Sequence, residues 1–263
     1  MRAVNIAKAT QVQKDNYEKR HDMSGTEAYV YHEKMFAKIR AYENFTPMLH
    51  ADRLAAPSRK TGRCVIGVCF MGDWCDPGLS DHARSEVLDA MLEALHHTYI
   101  LLTKQPENMA RVIDSVFPSG APSNVDWYLG FSARNQSEFD AGWPHMAKLA
   151  AAGWKVWVSL EPMQGPIDLE VCPGCEKNCE QTLCQTGPAI HSLSTVILGA
   201  QSGKNAVPLQ KEWVESVQIQ CEVVGIPFMF KQGTNPKSPE RPIHLPELDG
   251  KVCRDLAWTM PKT

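Results

Sequence analysis

The first 63 residues of this chain contain no cysteine, although nine cysteines follow. A thiolate-held metal or cluster therefore finds no ligand in that stretch. No run approaches the roughly 20 apolar residues that span a bilayer. The opening MRAVNIAKATQVQKDNYEKR also lacks the apolar stretch of an export signal. A membrane partner is set aside on these grounds, and the expected location is cytoplasmic. Excess charge of one sign is missing too. A formal net charge of −3 gives no electrostatic ground for broad nucleic-acid binding, a local basic patch apart. Internal repeats and low-complexity tracts are absent. In a reducing compartment, metal ligation, catalysis or burial are weighed ahead of disulfides for the cysteines.

What is present looks globular. Of 263 residues, 43% are hydrophobic and 22% charged, enough for one large core or two small ones. From about residue 60 a pattern recurs: a short apolar run, a polar loop, then a helical stretch. The runs are 64–70 (CVIGVCF), 98–103 (TYILLT), 127–131 (WYLGF), 154–160 (WKVWVSL), 195–199 (TVILG) and 226–230 (IPFMF). Their nearly continuous apolar character suits parallel strands covered on both faces.

Helix candidates lie between the runs. Leu88, Met91, Leu92 and Leu95 share one stripe, with Ser80 or Asp81 as N-cap. Pro106 opens the stretch 106–115 at a first helical position. Pro144 divides 136–152 into two short pieces. Trp213, Val214, Val217, Cys221 and Val224 share a face that ends at Gly225. The alternation predicts an α/β fold with six or seven parallel strands. A partial (β/α) barrel and an open doubly wound sheet both remain possible. The expected divisions are an irregular or helical segment 1–60, a core 61–233 with a cysteine-rich insert near 170–190, and a C-terminal extension 234–263. In the first segment, 28–31 is strand-like and 33–42 helical.

Parallel α/β folds collect functional groups where strands run into the following loops. Here each strand end carries polar residues: Asp73, Lys104, Ser132, Arg134, Asn135, Glu161, Gln201, Ser202, Lys231 and Gln232. On one rim they would form a pocket for a zwitterionic or anionic ligand. Lys104, Glu161 and Lys231 each interrupt strand patterning at the same relative place and are the candidate catalytic groups.

Four cysteines, Cys172, Cys175, Cys179 and Cys184, stand in the sequence EVCPGCEKNCEQTLCQ. The spacing C-x2-C-x3-C-x4-C brings four thiolates within reach of one ion, and the CPGC turn resembles a zinc knuckle. The intervening residues are polar, so a metal is the expected source of order there. Structural zinc is the first choice and a [4Fe–4S] cluster the second, since four thiolates saturate either. Of the remaining five, Cys64, Cys69 and Cys221 are expected to be buried small side chains. Cys75 lies near the proposed mouth, and Cys253 lies in the tail.

Six segments carry a family resemblance: PMLHADRLAAP (47–57), ILLTKQPENM (100–109), WYLGFSARNQ (127–136), VWVSLEPMQGPIDL (156–169), VILGAQSG (196–203) and WVESVQIQCEVVGIPFMFKQ (213–232). In that order they resemble the motifs of a phage-associated, radical-SAM-like family of unknown function. The resemblance implies a partial (β/α) barrel of the radical SAM type. It also implies a [4Fe–4S] cluster on a cysteine triad before Pro47, with S-adenosylmethionine on the open iron as the source of a hydrogen-abstracting radical. In the same terms, Ser132, Asn135 and Gln201, with Glu161, are candidates for holding cofactor or substrate. The neighbouring rim residues Asp73 and Ser202 join the cofactor-binding set. The sequence departs from the family at 25–31 (GTEAYVY), where the triad would lie. Loss of the cluster, a segment upstream of Met1, or ligation by cysteines elsewhere would each account for this. The functional expectation is a radical-SAM-like protein of unknown substrate, a small molecule or modified base, that binds metal through the insert. The alternative is a non-catalytic binding or assembly protein with a structural zinc knuckle.

Overall fold

The computed structural model describes residues 47–70, 72–170, 189–203, 205–238, 241–248 and 250–259. Contacts divide the chain between Met48 and Leu49, and the unit from Leu49 onward carries every element below. The strand and helix expected at 28–31 and 33–42 lie outside the described residues.

Local signals set the helix boundaries. Helix α1 (Asp81–Leu92) starts where Ser80 Oγ accepts a hydrogen bond from the Ala83 amide at 3.2 Å. Helix α2 (Pro106–Val116) carries proline at its first position. Helix α4 (Lys211–Val224) stops at Gly225, whose φ of 75° is the left-handed conformation that glycine adopts without a Cβ penalty. Helix α3 corrects an expectation. It runs unbroken from Gln136 to Ala151 with Pro144 inside it. Phe139, Trp143, Met146 and Leu149 are all fully buried along it, and their burial outweighs the roughly 3 kcal/mol that an interior proline costs.

The strands are β1 (Val65–Val68), β2 (Thr98–Thr103), β3 (Trp127–Ser132), β4 (Lys155–Leu160), β5 (Leu193–Gly199) and β6 (Phe228–Gly233). They pair in parallel and in sequence order, and a two-residue strand β7 (Ile243–His244) adds antiparallel to β6. A doubly wound sheet reverses its strand order at a switch point. This sheet has no such reversal. It is a seven-stranded, mostly parallel, strongly curled half-barrel.

Side chains alternate across each strand. One set faces the helices in the main core, which includes Tyr99, Leu101, Trp127, Leu129, Phe131, Val156, Val158, Val196 and Leu198. Trp127 stacks on Trp154 with ring centroids 5.8 Å apart, and Phe117 meets both edge-on. The other set lines the concave, helix-free face, where Ile100, Tyr128, Trp157 and Ile197 form a second cluster. A Cβ at Gly130 would collide with the Trp157 indole, so glycine lets that ring lie over β3.

The tail is more than the loop and surface its composition suggests. The Phe230 amide donates to the Cys253 carbonyl at 2.9 Å, and the Asp255 amide donates to that of Phe228 at 3.1 Å. Trp258 then meets both Tyr128 and Trp157 at 5.2 Å. The lower half of the concave face is thus filled by the chain itself, and the upper half, toward the C-terminal strand ends, is left for a site.

Candidate functional site

Period-two alternation explains why the upper concave face is polar. Trp157, Ser159 and Glu161 share one side of β4 and its exit, Gly130 and Ser132 one side of β3, Ile197 and Gly199 one side of β5, and Met229 and Lys231 one side of β6. Each series is apolar or small at its lower end and changes near the strand end. A cavity of about 690 Å³ opens there, and its walls include Lys104, Ser132, Arg134, Glu138, His145, Glu161, Gln164 and Gln201.

Glu161 is held through one of its two oxygens. Its Oε2 accepts from Ser159 Oγ and from Lys231 Nζ, each at 3.1 Å. Its Oε1 is buried and has no hydrogen-bond partner among the described residues. A Cβ at Gly199 would collide with that oxygen, so the glycine is what gives the carboxylate its place. Nearby, the Arg134 guanidinium binds Glu138 and holds that carboxyl below the usual range. Gln164 Nε2 donates to Gln201 Oε1 at 3.1 Å and fixes the two amides against each other.

Four of the candidates, Lys104, Ser132, Glu161 and Gln201, line the cavity together. Lys231 joins them through its ion pair with Glu161. Asp73 is engaged elsewhere: Oδ1 accepts from the Cys75 amide and Thr103 Oγ1, and Oδ2 accepts from the Lys104 amide, at 2.7–2.9 Å. It ties the β1 exit loop to the end of β2. Asn135 caps α3, its Oδ1 accepting from the Glu138 amide at 3.0 Å. Ser202 is exposed beyond the cavity wall. Cys172, Cys175, Cys179 and Cys184 lie outside the described residues.

A family model described as "Protein of unknown function (DUF5131)" matches residues 10–256. The chain belongs to this family. No curated protein and no solved structure matches the chain.

Among the described residues of this DUF5131 member, no three His, Cys, Asp or Glu side chains are grouped to hold a metal ion. Cys75 and Cys221 are fully buried, and burial pushes both thiols up to about 12. Cys69 is exposed and Cys64 half-buried, contrary to the expected burial, because β1 ends at Val68 and sits at the edge of the sheet. Residues of the cavity region not singled out from sequence include Ser159, Glu138, Gln164, His145 and Gly199. Ser159 carried a usable signal, since it lies two residues before Glu161 and so shares its face. His145 carried none, because it reaches the cavity from the middle of α3.

Proposed function

We propose that the mouth of the half-barrel is a small-molecule site of an enzyme of the radical-SAM-like type, with Glu161 as its anchor and Lys231 and Lys104 as accompanying cations. The observation that carries this is the pairing of a cavity with a buried carboxylate oxygen that has no partner. Leaving such an acceptor unpaired costs about 1–3 kcal/mol, and perturbed or unsatisfied groups in a concave pocket mark binding sites.

The cofactors implied by the sequence resemblance divide on fit. Ser132, Gln201 and Glu161 offer a donor and acceptors suited to a polar cofactor such as S-adenosylmethionine, which supplies one-electron chemistry when it is bound to a reduced cluster. For the cluster itself, no three His, Cys, Asp or Glu side chains are grouped among the described residues. The metal in this proposal therefore belongs to Cys172, Cys175, Cys179 and Cys184, with zinc ahead of a [4Fe–4S] cluster. Its support is their spacing alone.

Anaerobic purification followed by measurement of iron, sulfide and zinc tests this. Brown protein carrying iron and sulfide, and able to cleave S-adenosylmethionine under reduction, supports the enzyme. Colourless protein with one zinc supports the binding or assembly module instead. Cys172→Ser together with Cys175→Ser is expected to abolish metal content in either case. Unchanged metal would remove the quartet as its site.

A further inference from the structure

The Glu161 carboxylate holds more information about its ligand than its mere presence in the wall. Both of its neighbours, the Ser159 hydroxyl and the Lys231 ammonium, converge on Oε2, and among the described residues Oε1 has no partner. The charge of the carboxylate is therefore already matched by Lys231, while half of its accepting capacity is unused. A second cation at Oε1 would stand close to the Lys231 ammonium, since the two oxygens share one carbon. Like charges at that separation repel, and a cation entering the site would also lose its hydration. A neutral N–H or O–H group meets the demand of Oε1 without either penalty.

The other charges of the cavity do not alter this. Arg134 and Glu138 pair with each other. Lys104 and Glu107, of opposite sign, both line the wall, so the cavity as a whole has no surplus negative charge to draw in a cation. Rotation about the terminal carboxylate bond, which is soft and two-fold, exchanges the oxygens between Lys231 and an incoming ligand. Oε1 itself lies against Gly199, where a Cβ would collide with it.

We infer that the ligand of this cavity presents a neutral hydrogen-bond donor, such as a carboxamide, hydroxyl or amino-heterocycle edge, to Glu161, and that cationic amines and amidines are selected against. This rests on the mouth being a small-molecule site and specifies the chemistry of what enters it. Ser159 and Lys231 act as positioning residues, because they hold the carboxylate rather than touch the ligand.

Three probes of one shape separate the possibilities: benzamide, a neutral donor; benzamidinium, a cationic donor; and benzoate, an anion with no donor. Each is titrated into the full-length protein, and its dissociation constant is read from ligand-observed NMR. Benzamide is expected to bind at least about tenfold more tightly than either of the others, the worth of one hydrogen bond to a charged group. Glu161→Gln keeps the shape, turns its carbonyl oxygen to Lys231 and presents an amide N–H in place of the free acceptor. The expected result is loss of the benzamide preference and a gain for benzoate. If benzamidinium binds most tightly to the unaltered protein, the inference fails and the small-molecule site survives. An unchanged rank order in Glu161→Gln also overturns it. If none of the three binds, the small-molecule reading of the mouth fails, and this inference with it.

Discussion

A side chain at position 199 would occupy the space of Glu161 Oε1, which shows how one residue without a side chain can set the place of another. Nothing in TVILG distinguishes that glycine from one in an ordinary strand end. Glu161 itself was legible, because a carboxylate directly after a buried apolar strand breaks the pattern. Its partners were not, since Lys231 lies 70 residues away along the chain. The buried thiols give a prediction at this scale. Cys75 and Cys221 are held protonated by burial, up to about 12. In the unfolded chain a thiol ionises near 8.5. Below that pH both states keep the proton and the contribution of these thiols to stability is whole. Above it the unfolded state loses protons first, so stability falls as pH rises toward 12. Urea denaturation at rising pH is expected to show this decline, and Cys75→Ala combined with Cys221→Ala to flatten it. A decline of equal slope in the double variant would refute the assignment.

At the level of elements, cap chemistry was the most transparent part of the sequence. Ser80 and Gly225 bound their helices as their residue types dictate. Asn135 shows the limit of that transparency. It stands at a strand exit, where function is expected, and also one residue before a helix, where a cap is expected. The geometry gives it the second role, with Oδ1 committed to the Glu138 amide. Asn135→Ala is expected to lower stability by about 1 kcal/mol, read by chemical denaturation. Asn135→Asp, which keeps the acceptor, should recover most of it. Loss of probe binding with stability intact would instead return Asn135 to the ligand site. Pro144 misled in the opposite sense. Local propensity divides α3, but a run of four buried large side chains holds it together, and burial summed along a helix exceeds a single backbone penalty.

Over the whole molecule, the curl of the sheet and the course of the tail decide which surfaces remain open. Trp258, far along the chain from the aromatic rings it meets only through folding, fills the lower concave face against Tyr128 and Trp157. Trp258→Ala is expected to destabilise the fold by about 1–3 kcal/mol, the value of one partly buried large apolar side chain, measured by urea denaturation. No change in the midpoint would mean that the tail does not hold the face closed. The sequence by itself determined that this is an α/β chain of parallel strands with polar exits, because burial on two faces and helical periodicity are written in neighbouring residues. It also determined the cysteine quartet, a matter of spacing. Tertiary structure alone decided that strand order never reverses, that Lys104, Ser132, Glu161 and Gln201 share one cavity while Asp73 and Asn135 serve loops and caps, and that one carboxylate oxygen is left without a donor. Those outcomes depend on pleat, register and curl accumulated across six parallel strands, and such sums over distant segments leave no mark in any one local stretch.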